Sequence, residues 1–127
     1  MDNKKALNVF PIQITIIGRD DIIEGELVRT NAPRTVEKIL AKLPLTGRII
    51  KRGNQLSITV NIKMGKEKPT TTAKKGDIGY WPMSDAICIF LDDMEPYGGI
   101  NIIGTITSNL DALMNLRMGT TLKITQK

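Results

Sequence analysis

The chain has 127 residues, 41% of them apolar, with 18 lysines and arginines against 13 acids, a net charge of +5, one cysteine and no histidine. That length suits one hydrophobic core, and the lone cysteine excludes an internal disulfide. The missing histidine removes Ser/His and Cys/His nucleophile pairs in their usual form, together with His-ligated zinc or iron centres, so no metal or cofactor is expected.

In chain order, Lys4 and Lys5 precede an apolar stretch that Pro11, Gln13 and Thr15 interrupt. That is no secretory signal, and no apolar run approaches the roughly 18 residues a membrane helix needs. The expectation is one cytoplasmic domain spanning 1–127, with 1–10 as a short tail and no membrane partner. From Pro11 to Gly18, Ile12, Ile14 and Ile16 alternate with Gln13 and Thr15, which predicts a strand; Ile23, Gly25 and Leu27 alternate after the Arg19–Asp21 turn and predict its antiparallel return.

Pro33 suits a first helical position, and Val36, Ile39, Leu40 and Leu43 share one helix face before Pro44. A helix over 33–43 is predicted, with its polar face carrying Arg34, Glu37, Lys38 and Lys42. GRIIKRG and NQLSITVNIKM then read as two strands joined at Gly53-Asn54, a pair that tolerates the positive φ of a tight turn. In the second run Leu56, Ile58, Val60, Ile62 and Met64 alternate without error, so the strand is expected to reach Met64.

Residues 65–76, rich in Lys and Thr, show no period and predict a mobile basic loop. DIGYWP and AICIFLD follow as central strands, the second apolar on both faces and expected to lie between the core and a helix. NIIGTIT is a further strand, and Ser108 with Asp111 three residues on resembles a capping box for a second helix ended by Gly119. TTLKITQK closes the chain as the last strand. The sum is a mainly β chain of eight strands and two helices, an order that closes into a barrel with helices at its ends.

Three phrases carry a family resemblance. Ala32-Pro33-Arg34-Thr35-Val36-Glu37 resembles the phrase that opens the first helix of cyclophilins, and Ile103-Gly104-Thr105-Ile106 followed by Leu110–Leu116 resembles the one leading into their second. Gly76-Asp77-Ile78-Gly79-Tyr80-Trp81 followed by Ile87–Leu91 is similar to the signature of the small cyclophilin-like proteins of archaea and bacteria, a family with no assigned activity. The resemblance covers nearly the whole chain and implies a closed eight-stranded cyclophilin-like β-barrel. The Phe-His-Arg and Gln-Gly-Gly-Asp phrases of the true cyclophilins have no counterpart in GRIIKRGNQLSITVNI, so neither Arg48 nor Arg52 inherits the role of their catalytic arginine.

Prolyl isomerisation needs no covalent chemistry: an apolar pocket for the ring and a fixed donor to the prolyl nitrogen lower the barrier to amide rotation. Arg52 and Arg48 are the candidate donors, and Tyr80, Trp81, Met83 and Phe90 the candidate ligand-binding side chains. Against this stand exposed strand arginines and an aromatic cluster that does nothing but fill a core. The main reading is a binding module for a peptide or small-molecule ligand, without efficient turnover; the rival is a weak peptidyl-prolyl cis-trans isomerase.

Residues 1–75 carry 15 basic against 7 acidic side chains, and 76–127 carry 3 against 6. Lys63, Lys66, Lys68, Lys74 and Lys75 therefore offer a third reading, contact with nucleic acid or a protein partner, although aromatics at 4% speak against a base-stacking platform. Asp92, Asp93 and Glu95 match no calcium-loop spacing and read as a charged turn.

Overall fold

In a computed structural model, which describes residues 8–127, the first alternating run becomes β1 (Val9–Ile16) and returns as β2 (Ile22–Val28), antiparallel, with Ile12 opposite Gly25 and Ile14 opposite Ile23. β1 thus begins inside the stretch expected to be a tail, of which residues 1–7 lie outside the described residues. The alternation buries Ile12, Ile14 and Ile16 and leaves Gln13 and Thr15 half-buried.

Helix α1 (Pro33–Lys42) follows, buries Thr35, Val36 and Ile39, and stops one residue before the expected end, ahead of Pro44. The stretch read as a single strand, GRIIKRG, is two: β3 (Leu45–Arg48) pairs with the last strand, and β4 (Ile50–Arg52) pairs with β5 (Gln55–Thr59). The break falls at Ile49, which is buried and whose amide and carbonyl bond Thr120 and Gly119. Then come β6 (Asp77–Trp81), β7 (Ala86–Phe90), β8 (Asn101–Ser108), a single 3-10 turn at Leu110–Leu113, and β9 (Thr121–Gln126).

All nine strands form one sheet in the order β3-β9-β1-β2-β8-β6-β7-β5-β4, a nearly closed barrel whose ends meet at the β3–β4 break. At that seam Gly47 packs directly on Ile58, so closely that a Cβ there would collide with the Ile58 side chain. The count corrects the expected eight strands and two helices to nine strands and one α-helix among the described residues. The second helix fails locally: Ser108 stays in β8, and Asn109 takes a left-handed backbone without a side-chain cap, its side-chain Nδ2 donating to the Ile22 carbonyl instead. Leu113 in that turn and Leu116 just after it still join the main core.

The other correction concerns NQLSITVNIKM. Pairing stops at Thr59, and Asn61 and Lys63 adopt φ of 58° and 52°, a left-handed backbone that no strand contains. The cause is Asp85, in the β6–β7 turn. Its carboxylate oxygen Oδ1 accepts the Ile62 and Lys63 amides at 3.1 and 3.0 Å, and its carbonyl accepts the Val60 amide at 2.9 Å.

The loop expected to be mobile is tied at several points. Thr70 bridges Ile100, Ala73 bridges Met94, and the Lys74 and Lys75 amides bond Asp77 and Asp93. This loop and residues 92–100, not a helix, cover the outer side of β7.

Candidate functional site

The pleat of a strand sends neighbouring side chains to opposite faces, and this divides the predicted ligand residues. Tyr80 and Ile78 point into the barrel, where Tyr80 joins the main aliphatic core. Trp81 and Gly79 point outward, and Trp81, Cys88, Phe90, Ala73 and Ile100 make a second, smaller core on the outer face of β6 and β7, with Met94 and Ile102 packed against it. Trp81, Phe90 and Met83 therefore belong to one region and Tyr80 to another.

Tyr80 is held in the barrel-mouth network. Its hydroxyl donates to Asp85 Oδ1 at 2.6 Å and accepts the Met64 amide at 3.1 Å. Burial, then the bond to Asp85, pushes its pKa up to about 12. For Asp85 burial alone would raise the carboxyl's pKa, but the bonds from Tyr80, Lys63 and Ile62 outweigh it and hold the group below its ordinary value.

A second carboxylate anchors the same segment. Helix α1 has no side-chain cap of its own at Ala32, and Glu67 supplies one, accepting the Thr35 amide at 2.7 Å, the Thr35 hydroxyl at 2.6 Å and the Arg34 amide at 3.3 Å. Burial opposes the charge of Glu67, yet these bonds lower its pKa. Buried Asn101 completes the clasp, bonding Glu67 N, Thr35 Oγ1 and Gly65 O. An open cleft of about 390 Å³ beside it is lined by Arg34, Glu37, Lys38 and Met64.

The outer face of β4, β5, β7 and β6 has a different make-up. Register sets Arg52 opposite Gln55 and Gln55 opposite Phe90; in the adjacent row Ile50, Ser57, Cys88 and Gly79 line up across four strands. The floor is polar though buried: Gln55 Nε2 donates to Cys88 Sγ at 3.1 Å and Ser57 Oγ at 3.2 Å. Burial pushes the Cys88 thiol up to about 11, so it stays protonated and offers no thiolate nucleophile at neutral pH.

Over this floor the Arg52 guanidinium carbon lies 5.6 Å from the centre of the Trp81 ring, within cation–π range. Arg48, exposed on β3, makes no such contact, so the structure brings one of the two predicted arginines to the indole. Trp81 itself is only 6% exposed, and its indole nitrogen is buried with no hydrogen-bond partner. The other such atom among the described residues, Arg29 Nε, belongs to a guanidinium already paired with Glu37 at 2.7 Å.

Several apolar side chains of this region are exposed: Met83 is 66% and Tyr97, next in the chain to Gly98, 76% exposed, and Ile50 is exposed on β4 of the same sheet face. Gly98 has φ 75°, and a Cβ built there would lie 3.8 Å from Trp81 Nε1 and 3.9 Å from Met83 Sδ. The sequence reading missed Gln55, Ser57 and the Asp85 and Glu67 clasps. The signal for the first two was present, since a two-residue turn at Gly53-Asn54 pairs Arg52 with Gln55 and alternation then puts Ser57 on the same face.

The five lysines of the predicted basic surface are all exposed. In the acidic turn, Asp93 accepts the Lys75 amide and Asp92 accepts that of Asp93, and no group of three or more metal-ligating side chains occurs among the described residues. No helix among them is long and apolar enough to cross a membrane.

The family profile described as Cyclophilin-like matches residues 11–125, and the chain belongs to that family. No curated protein matches. Among solved structures, the chain superimposes on the hypothetical protein AF2241 from Archaeoglobus fulgidus with a TM-score of 0.78 at 24% identity, covering 93% of this chain and 95% of that one. It also superimposes on McbB, solved in complex with tryptophan, with a TM-score of 0.74 at 14% identity over 91% of this chain, while spanning 44% of McbB. At these identities the likeness is one of fold.

Proposed function

We propose that the outer face of β4, β5, β7 and β6 is a ligand site and that the protein works as a binding module for a peptide or small molecule, without efficient turnover. The observation that carries this reading is Arg52 over Trp81, beside exposed Met83, Tyr97 and Ile50 and above a buried polar floor. Aromatic, methionine and arginine side chains together are what ligand and peptide interfaces favour. McbB, a protein of this fold, was solved with tryptophan, which supports a small apolar ligand as well as a peptide.

A second reading, a weak prolyl isomerase, rests on the same arginine: a guanidinium fixed beside an apolar wall is the arrangement that stabilises a twisted prolyl amide. The readings separate in one experiment. Calorimetric titration with acetyl-Ala-X-Pro-Phe amides is run beside a protease-free isomerisation assay, using wild type and Arg52→Ala. Binding without acceleration, weakened in the variant, is the expected result. Acceleration that disappears in Arg52→Ala would make the protein an enzyme, and no binding by any peptide or by free tryptophan would sink the site.

A further inference from the structure

Trp81 Nε1 is the one buried polar atom among the described residues whose side chain has no polar partner at all, and native proteins rarely leave such a donor unmet. No acceptor lies within hydrogen-bond distance of it; a Cβ on Gly98, whose backbone is left-handed, would lie 3.8 Å from this nitrogen and 3.9 Å from the Met83 sulfur. Met83 is two-thirds exposed and unbranched, so it can swing away without disturbing the core. Gly98 leaves that approach unfilled, where any other residue would place a Cβ against the indole nitrogen. Arg52, on the ring, has no carboxylate partner among the described residues.

We infer that the Trp81 indole N–H is the anchor of the site, taking the carbonyl or carboxylate oxygen of a ligand whose apolar part displaces Met83. The inference rests on the proposed outer-face site and adds the ligand's chemistry: an acceptor oxygen next to an apolar group. A carboxylate would also meet Arg52, whereas a peptide carbonyl would use the indole alone.

Because the chain has a single tryptophan, its indole N–H gives one proton–nitrogen NMR peak. The uniformly labelled protein is titrated with acetyl-Ala-X-Pro-Phe as free acid and as amide, and with acetyl-leucine and its amide. The expected result is a saturable shift of the indole peak together with the Arg52 and Ser57 amides, and about tenfold weaker binding in Trp81→Phe, which keeps a six-membered aromatic ring and loses the donor. A shift with acids only identifies a carboxylate, and one with amides as well identifies a carbonyl. Movement of the Arg52 and Ser57 amides with a static indole peak, or equal affinity in Trp81→Phe, would overturn the anchor and leave the site standing. No movement of any of these would remove both. Met83→Ala supplies a second reading: the indole proton should exchange with water faster, and unchanged exchange would contradict the methionine's covering role.

Discussion

Strand β7 separates two packed regions that differ in what they leave unfinished. On its inner side Ile87 and Ile89 join an interior with Ile14, Leu56, Ile78 and Ile103, closed by the barrel itself, in which the Tyr80 hydroxyl has its hydrogen bonds met. On its outer side Cys88 and Phe90 join Trp81 under loop segments, over a floor holding Gln55 and Ser57, with one donor unmet and exposed apolar side chains at the rim. The inner side is what a stable barrel requires. The outer side adds buried polar groups and an unmet donor to its packing, and the proposed ligand site lies there.

The largest effect that can break this contrast comes from neighbours in sequence. Ile89→Ala opens a cavity in the closed interior and should lower unfolding free energy by about 2–5 kcal/mol in urea titrations. Cys88→Ala, one residue away on the outer face, removes one sulfur under a loop cover and should lower it by about 1 kcal/mol. Equal losses would mean that the outer core is as much a part of the fold's foundation as the inner one.

A smaller effect concerns the barrel mouth, where the 60–67 segment is held by two carboxylates. Asp85 and Glu67 keep their charge in the folded chain at lower pH than in the unfolded one. As pH falls the unfolded state therefore takes up protons first, so their contribution is complete above the ordinary carboxyl range, about pH 4, and is lost as pH drops through the lowered folded values. Denaturant midpoints should be level near neutrality and decline in acid. Asp85→Asn should cost about 1 kcal/mol near neutrality and flatten the acid decline; a variant curve parallel to wild type would show that Asp85 is not a source of that decline.

The legible part of this molecule was the part governed by repeating pattern. Alternation at Ile12, Ile14 and Ile16 and the helix-face spacing of Val36 and Ile39 gave β1 to within two residues at each end and α1 to within one, and the three phrases led to the right family. The misreadings came where a distant group overrode a local pattern. Val60, Ile62 and Met64 continue the strand period, yet Asp85, more than twenty residues on, bonds the Ile62 and Lys63 amides and turns the chain aside. Likewise Ile49 is pulled inward by Gly119 and Thr120, splitting one expected strand into β3 and β4.

Part of the packing at the candidate site was legible by the same logic. Trp81 and Phe90 were named together and do share a core, and the pleat could have removed Tyr80 from that group, since it adjoins Trp81 and must face the other way. What no spacing could supply was the choice of Arg52 over Arg48, because it depends on the register of β4 against β5 and on the reach of one side chain across small residues to the indole.

The most direct test of the outer-face site is emission from the single tryptophan during titration with acetyl-Ala-X-Pro-Phe amides and free acids, with calorimetry as the independent measure of binding; free tryptophan, itself fluorescent, is followed by calorimetry alone. A saturable change in Trp81 emission at the calorimetric midpoint, weakened in Arg52→Ala, is the predicted result. Heat of binding with unchanged emission, and loss of that heat in Arg34→Ala or Lys38→Ala, would place the ligand in the barrel-mouth cleft and contradict the account.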